Sequence, residues 1–413
     1  MPHIAIIGKP FSGLSEYLIE QGYSFTVLRD VLTTKFPEKR LKNRIVVDFS
    51  DTRMLLEAVD QLHHKKPIHG VVVVYENYVL SAAKITTHLG LPGITEASAQ
   101  ACTDKERMRK LFAESPDKIS PGFATVSSEE DVRQFADAHS FPLIIKPANL
   151  SKSLLVTKSS SLEQLIENYR KTMKQIDAVY AKYAPGQQPK ILIEEFLEGP
   201  IFSVDAFVDA NGEPHVLENV VDYQTGYDIG YDDNFHYSRL LPTKLPADKI
   251  AAIRKTAAAG CKALGMTSSP AHIEIIYTND GPRIVEIGAR NGGYRERMHK
   301  LANGIDIVKN TIALALGQSL DIRPTKNDYV GVFELFPKTP GIFTQISNEA
   351  ALRTLPSLQY LSIKATPGTF VGKAGDGYKM CAVVILATAS KETFIQDTET
   401  LRAIHVETKH HET

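Results

Sequence analysis

The sequence predicts an α/β N-terminal domain followed by two α+β domains with antiparallel sheets and a small C-terminal α+β lobe. Residues 1–95 alternate buried-strand and amphipathic-helix patterns, beginning with IAIIG, SGLSEYLIEQG and SFTVLRD. Alternation of this kind indicates a parallel sheet with helices on its faces. Beyond residue 95, runs of β-forming residues are joined by turn signals, which is typical of antiparallel hairpins.

Composition excludes several classes of protein. The chain has 413 residues, enough for two or three domains, and its formal net charge is −1. A near-neutral total gives no reason to expect nucleic acid or an anionic membrane as a partner. Cys102, Cys261 and Cys381 lie far apart without a CxxC pair, which argues against a disulfide framework and a cysteine-ligated metal. Because neither a secretory signal nor a bilayer-spanning apolar run is evident, we expect a cytoplasmic location.

The remaining chain divides at changes in this pattern. We predict a first antiparallel domain over 96–190, a second over 191–325 and the C-terminal lobe over 326–413. In the first, Thr103-Asp-Lys-Glu106 has capping-box spacing before a helix, so Lys105 falls in its first turn. The strand FPLIIKP, which contains Lys146, is expected to pair with LLVTKSS across the loop ANLSKS. The predicted strands beyond it are KILIEEFLEG, FSVDAFVD, VGVFELF, QYLSIKA and MCAVVILATA.

The stretch HIEIIYTNDGPRIVEIGARNGG predicts a hairpin that carries one glutamate in each strand. With a three-residue loop centred on Asp280, Glu274 lies directly across from Glu286, whereas a two-residue loop would put them on opposite faces. Opposed residues have Cβ atoms about 5 Å apart, and like charges at that distance repel. A divalent cation with oxygen ligands would relieve this repulsion.

Charged residues before and after the hairpin are candidates for the same site. Lys105 in a first helical turn is unfavourable against the helix dipole unless an anion lies there too. The segment Ile193–Leu197 mixes acidic and apolar side chains at a strand end. Arg290 and the glycines Gly292 and Gly293 follow the second hairpin strand at once.

In this order and spacing, the set resembles the ATP-grasp superfamily of carboxylate ligases. The resemblance covers roughly residues 100 to 295 and runs from Lys105 and Lys146 through IEEFL to Glu274, Glu286 and Arg290. The C-terminal segments PGIFTQI, LPSLQYLSI and PGTFVG are similar to the L-amino-acid (dipeptide) ligase branch.

The resemblance implies a role for each of these residues. Lys105 and Lys146 would bind the phosphates of ATP as point charges. The segment with Glu194, Glu195, Phe196 and Leu197 would hold the adenine. Glu274 and Glu286 would ligate Mg²⁺ or Mn²⁺, and Arg290 would hold the transferred phosphate. The implied substrate contacts are His272, Asn291, Gly292 and Gly293.

The implied activity is that of an ATP-dependent carboxylate–amine ligase acting on a small-molecule carboxylate, such as an amino acid, and an amine. The carboxylate would become an acyl phosphate, and the amine would displace phosphate; a homodimer is consistent with the resemblance. Two rivals share the fold: a nucleotide-binding regulatory protein or pseudoenzyme, and a carboxylase-type ATP-grasp enzyme. Three departures bear on them: a phosphate loop without glycine at 148–153, Ile201 where an acid often holds the ribose, and Gly288 where asparagine is common.

Overall fold

The computed structural model describes residues 1–11, 13–31, 43–150, 154–183 and 187–409. The N-terminal domain contains a four-stranded sheet whose strands are parallel, as predicted, and the structure gives their order as β3-β2-β1-β4. A short 3₁₀ turn, Glu76–Tyr78, follows the last strand at the carboxyl edge of this sheet. The elements of the domain are β1 (His3–Ile7), α1 (Leu14–Glu20), β2 (Ser24–Asp30), β3 (Arg44–Val47), α2 (Thr52–Lys65), β4 (Gly70–Val73) and α3 (Val79–Leu89).

A four-stranded antiparallel sheet in the order β5-β8-β6-β7 forms the next layer. The pairing of β6 with β7 confirms the predicted hairpin, whose loop residues 151–153, including Lys152, lie outside the described residues. Strand β8 pairs with both β5 and β6, so this sheet extends across the predicted boundary at 190/191. The elements of this part are α4 (Glu96–Thr103), α5 (Lys105–Ala113), β5 (Phe123–Val126), α6 (Glu129–Ala138), β6 (Leu143–Pro147), β7 (Thr157–Ser159), α7 (Leu162–Tyr183) and β8 (Ile191–Glu195).

The start of α5 differs by one residue from the predicted capping box. Thr103 is the last residue of α4, and Asp104 caps α5, where its Oδ1 accepts the backbone N–H of Glu106 at 2.9 Å. Threonine and aspartate are both good cap residues, so adjacent candidates compete in the sequence pattern. Lys105 is the first residue of α5, which confirms its predicted place in the first turn.

A nine-stranded sheet in the order β14-β13-β9-β11-β12-β15-β19-β17, with β10 on β9, organises the rest of the chain. Its first elements are β9 (Ile201–Val208), β10 (Pro214–Val216), β11 (Val221–Thr225), α8 (Gly226–Ile229), β12 (His236–Leu241), α9 (Ala247–Ala263), β13 (Ser269–Thr278), β14 (Gly281–Gly288), α10 (Arg295–Ala302), α11 (Ile307–Ala315) and β15 (Tyr329–Leu335). The C-terminal elements are β16 (Gly341–Ile346), α12 (Glu349–Arg353), β17 (Leu358–Ile363), β18 (Phe370–Val371), β19 (Ala382–Thr388), α13 (Lys391–Arg402) and β20 (Val406–Lys409).

The predicted boundary at 325/326 does not interrupt this sheet. Strand β15 pairs with β12 on one side and with β19 on the other, so the C-terminal lobe continues the sheet that contains the hairpin. A small sheet in the order β18-β16-β20 completes the lobe. Within the described ranges, every helix is too short or too polar to cross a membrane.

The two faces of β13 have opposite character, and this alternation creates the site. Ile273 and Ile275 are fully buried and join a core that includes Ile284 of β14 and Ile253 of α9. Burying one isoleucine side chain stabilises the fold by about 1.5–3 kcal/mol. The burial of these isoleucines therefore determines which face of β13 points to the core and which points away from it. Glu274, on the same strand, therefore projects from the opposite, polar face.

Candidate active site

The hairpin brings the two predicted metal ligands together, although its loop differs from the prediction. Thr278 pairs with Gly281, so the loop has two residues rather than three. A β-bulge at Val285 then adds one residue to β14 and restores the pairing of Glu274 with Glu286. The predicted pairing is confirmed and the predicted loop is wrong, because periodicity alone does not reveal a bulge.

A buried arginine that the sequence analysis missed holds this bulge. Arg109 is fully buried on α5, where its Nη2 donates to the Val285 carbonyl oxygen at 2.8 Å. Its Nε donates to Glu194 Oε1 at 2.9 Å. Arg109 therefore joins the four-stranded sheet to the hairpin through one side chain. The available signal was its spacing: Arg109 lies one helical turn after Lys105 and shares its face.

Lys105 lies directly beside the hairpin carboxylates. Its Nζ is 3.0 Å from Glu286 Oε2 and donates to the Leu150 carbonyl oxygen at 3.1 Å. Burial alone would lower the pKa of Lys105, but the Glu286 carboxylate outweighs it and the pKa is raised. In turn, Lys105 holds the pKa of Glu286 below its usual range. Both groups are therefore charged at neutral pH.

Lys146 lies in a more buried pocket of the four-stranded sheet. Its Nζ is 2.7 Å from Glu194 Oε2, so one carboxylate serves both Lys146 and Arg109. Burial lowers the pKa of Lys146 to about 8. Burial alone would raise the pKa of Glu194, but the two cations, Arg109 first, hold it below its usual range.

The predicted adenine segment needs one correction. The Glu194 carboxylate is occupied by Lys146 and Arg109, and Glu195 Oε2 accepts the backbone N–H of Gly122 at 2.8 Å. Both oxygens of Glu194 are engaged within the protein, whereas Glu195 is bound through Oε2 in the described structure, so its role at the adenine stays a prediction. Main-chain groups of this segment, with Phe196 and Leu197, remain the predicted adenine contacts, and Lys158 Nζ lies 3.8 Å from the centre of the Phe196 ring.

Arg290 meets a residue of the N-terminal domain. Its Nε lies 2.9 Å from Glu76 Oε2, and its Nη1 donates to the Asn291 carbonyl oxygen at 3.0 Å. Burial raises the pKa of Glu76, and the Arg290 guanidinium opposes this effect. The N-terminal domain thus contributes a charged side chain to the site, which the sequence analysis did not predict.

His272 belongs to a buried network beneath Glu274. Its Nδ1 lies 2.8 Å from Asp205 Oδ1, and Arg295 Nε lies 3.0 Å from Asp205 Oδ2. Burial alone would lower the pKa of His272, but Tyr223 and Asp205 raise it to about 10. The imidazolium Nε2 lies 3.8 Å from Glu274 Oε1, so the network delivers positive charge to the hairpin. The signal for Asp205 was an acid inside the otherwise apolar strand FSVDAFVD.

The other predicted substrate residues differ in what they contact. Asn291 Nδ2 donates to Thr311 Oγ1 at 2.9 Å, which anchors the loop to α11. A Cβ atom on Gly292 would lie 2.5 Å from His272 Nδ1, so a larger residue there would displace the imidazole. A Cβ on Gly293 would meet nothing within 4 Å, so packing does not require glycine at that position.

The donor set fits a nucleotide-bound magnesium ion. In the described part of the chain, no group of three or more His, Cys, Asp or Glu side chains is arranged to hold a metal. Mg²⁺ usually takes one or two protein carboxylates together with phosphate oxygens and water, which matches Glu274 and Glu286. Opposed carboxylates, two lysines and an arginine are the kinds of groups that phosphoryl-transfer sites use.

Comparison with known families identifies the superfamily within this class. The model for the ATP-grasp domain matches residues 139–296, and the model for the ATP-grasp N-terminal domain matches residues 22–93. The chain belongs to the ATP-grasp superfamily.

Individual relatives agree with this assignment. The chain is 22% identical over 356 residues to an uncharacterized protein of Sinorhizobium fredii, covering 85% of this chain and 71% of that protein. It is 23% identical over 300 residues to alanine–anticapsin ligase of Bacillus subtilis, covering 68% of this chain and 63% of the ligase, less than two thirds of its length. The crystal structure of an L-amino acid ligase from Bacillus licheniformis superimposes with a TM-score of 0.79 at 20% identity, covering 99% of both chains. The predicted ATP-grasp fold and its likeness to this branch are confirmed.

Proposed function

We propose that the protein is an ATP-dependent ligase that joins a small carboxylate, preferably an amino acid, to an amine. The observation that supports this most is the pairing of Glu274 with Glu286 on the polar face of the hairpin, with Lys105 Nζ 3.0 Å from Glu286. Two opposed acids beside a lysine destabilise an isolated sheet, but they suit a phosphate-bound cation. A regulatory protein that only bound a nucleotide would not require two opposed glutamates beside a lysine.

In the first step, a substrate carboxylate oxygen attacks the γ-phosphorus of ATP. The bond from the γ-phosphorus to its bridging oxygen breaks, giving an acyl phosphate and ADP. Lys105 and Lys146 bind the phosphate oxygens, and Arg290 holds the transferred group. Glu274 and Glu286 would hold Mg²⁺, which neutralises phosphate charge when bound. The protein acts here mainly through positioning and charge.

In the second step, the amine nitrogen attacks the acyl carbon, and phosphate leaves with the electrons of the broken C–O bond. Activation is needed because a free carboxylate would have to expel oxide or hydroxide, which are very poor leaving groups. The nitrogen loses a proton as the amide forms. The exposed backbone of Gly293 has no Cβ atom, so its main-chain N–H can approach an anionic intermediate closely.

Phosphate release from ATP and Mg²⁺ tests the proposal, measured against amino acids singly and in pairs, with bicarbonate as a further carboxylate. Release that requires a pair and disappears in Glu274→Gln would support the ligase. Release with bicarbonate alone would favour a carboxylase-type enzyme. ATP binding without release for any combination would contradict the ligase and favour the regulatory protein.

The proposed assembly is tested separately. We propose small-molecule carboxylate and amine partners and a homodimer, in line with the resemblance to amino-acid ligases. Light scattering coupled to size-exclusion chromatography would give the mass in solution. A mass near twice the 45.6 kDa of one chain would support the dimer, and a mass near 45.6 kDa would contradict it.

A further inference from the structure

A cavity of about 420 Å³ lies in the C-terminal half of the chain, away from the site described above. Strands β11, β12 and β15 form one side of it and contribute Gln224, Ser238 and Leu335. The junction of α13 and β20, from Leu401 to Val406, forms another side. Ligand pockets usually enclose roughly 300–1,000 Å³, and one water occupies about 30 Å³, so the cavity has the size of a small-molecule site.

The cavity lies on the reverse of the nine-stranded sheet from Glu274. The register through β9 aligns Glu274 with Val221, so Tyr223, two residues further along β11, shares the face of Glu274. Gln224 is the next residue and points to the other face, where it pairs with Ser238 of β12. A ligand in the cavity is therefore separated from the proposed reaction site by the thickness of the sheet.

Aromatic side chains give the cavity an apolar wall. The rings of Tyr231 and Tyr237 are stacked with centroids 4.7 Å apart, and Phe336 meets Tyr237 edge-on at 5.4 Å. Both hydroxyl groups already donate within the protein, Tyr231 to the Phe336 carbonyl oxygen at 3.1 Å and Tyr237 to Asp233 Oδ2 at 2.9 Å. The rings therefore offer apolar surface, which suits an aromatic or other flat apolar group.

The polar groups of the cavity that remain available are hydrogen-bond donors. Ser238 Oγ donates to Gln224 Oε1 at 2.8 Å, which leaves the amide NH₂ of Gln224 for a ligand. Lys338 and Arg402 are exposed residues that also line the cavity. Among the described residues, no carboxylate lies within ion-pair distance of either side chain. Two cations and an amide donor at one cavity favour an anionic ligand.

The two acids in the lining do not reverse this preference. Asp228 Oδ2 accepts a backbone N–H at 2.6 Å, and Glu334 Oε1 accepts the Tyr294 hydroxyl at 2.7 Å. Glu334 also points to the face of the sheet that carries the proposed reaction site, because its neighbour Phe333 pairs with Ser238 on the cavity face. The charge that faces the cavity is therefore mainly positive.

We propose that this cavity is a second ligand site, which binds a small molecule with an aromatic body and one carboxylate group. The aromatic body packs against Tyr231 and Phe336, and the carboxylate accepts hydrogen bonds from Lys338 and Arg402. Because the sheet separates this site from Glu274, the ligand and a nucleotide bind at the same time. The inference goes beyond the proposed ligase function and does not depend on it, since it rests on a different face of the sheet.

Binding of 2-naphthoate tests the chemical class of the ligand, with 2-naphthamide as its uncharged counterpart of the same shape. Isothermal titration of the full-length protein measures the affinity for each compound, with and without ADP and Mg²⁺. We expect 2-naphthoate to bind at least about tenfold more tightly than 2-naphthamide, because only the carboxylate forms charge-assisted hydrogen bonds with two cations. ADP and Mg²⁺ should leave both affinities unchanged, because the nucleotide site lies on the other face.

The double variant Lys338→Gln/Arg402→Gln tests the proposed carboxylate contacts. Both positions are exposed, so the fold should be retained. We expect the affinity for 2-naphthoate to fall about tenfold, to the level of 2-naphthamide, and the affinity for 2-naphthamide to stay unchanged. Lys174→Gln/Lys391→Gln removes the same charge at exposed positions on α7 and α13 and is the matched control, which should bind both compounds as the wild type does.

The variant Ser238→Phe tests the location of the apolar body. Ser238 is 3% exposed, and a phenyl ring at this position would occupy part of the cavity. We expect binding of both compounds to be lost. Thermal unfolding shows whether this variant is folded; if it is not, Lys338→Gln/Arg402→Gln alone decides the location, because it changes only exposed side chains.

Four outcomes would contradict the inference. Equal affinity of the wild type for the two compounds would exclude a carboxylate site, and no binding of either up to about 1 mM would exclude an aromatic ligand. Unchanged affinity for 2-naphthoate in Lys338→Gln/Arg402→Gln would show that the anion binds elsewhere. Displacement of 2-naphthoate by ADP and Mg²⁺ would show that it occupies the nucleotide site. None of these outcomes bears on the proposed ligase function, which phosphate release tests separately.

Discussion

Glu194 and Glu286 are acids on neighbouring sheets of one site, yet they differ in partners and exposure. The Glu194 side chain is 5% exposed and bound by both Arg109 and Lys146, whereas the Glu286 side chain is 35% exposed and, among the described residues, is paired with Lys105. A fully satisfied buried acid has no remaining capacity for a ligand. The more exposed Glu286, which lies opposite Glu274, retains capacity to bind a ligand. Partner number and exposure, rather than residue type, therefore separate the supporting carboxylate from the proposed metal ligand.

The largest expected effect comes from neutralising the half-exposed acid. We expect Glu286→Gln to lower ATP-dependent product formation at least about a thousandfold, because the charge that holds Mg²⁺ on the phosphates is removed. Stability should change little, since the Glu286 side chain is 35% exposed. Isothermal titration with ATP, with and without Mg²⁺, should show that the metal no longer strengthens binding. Metal-strengthened binding as in the wild type would refute the metal assignment.

Removing one of the two cations that bind the buried acid Glu194 should instead lower the stability of the protein. Arg109→Met leaves Glu194 with one cation and the Val285 carbonyl without its donor, and we expect a loss of about 3–5 kcal/mol in the free energy of unfolding. Urea unfolding measures this change. The double variant Arg109→Met/Glu194→Gln should recover part of it, because the uncompensated buried charge is gone. If the single variant is as stable as the wild type, the two acids do not differ in the way proposed.

A smaller effect should appear in the pH dependence of nucleotide binding. Because the pKa of Lys146 is lowered to about 8, its ammonium is mostly charged at pH 7 and mostly neutral at pH 9. The charged form binds phosphate, so we expect ATP affinity to fall about tenfold between these values. In the variant Lys146→Arg the side chain is charged at both pH values, so the ATP affinity of the variant should change much less. Parallel pH profiles for wild type and variant would contradict the role of Lys146 titration.

Several parts of the fold and site were predictable because their signals are local. The alternation in residues 1–95 predicted a parallel sheet, and the strand patterns from FPLIIKP onward predicted the antiparallel ones. The cap at Asp104 was missed by one residue, because neighbouring residues are equally good caps. The sequence did not reveal that the sheets extend across the predicted boundaries at 190/191 and 325/326, because sheet membership depends on hydrogen bonds between distant strands.

By itself, the sequence determined the order of the charged groups: Lys105, Lys146, Glu274 and Glu286 on identifiable helices or strands, and Arg290 directly after the second hairpin strand. That information is local, since it depends on periodicity, turn residues and capping. Only the tertiary structure decided what these groups contact. The Val285 bulge that pairs the hairpin acids accepts a hydrogen bond from an arginine 176 residues away. Arg109 also reaches Glu194, 85 residues away, and Arg290 reaches Glu76 in another domain. Such contacts arise because folding buries charges, and buried charges must find partners wherever the packing brings them.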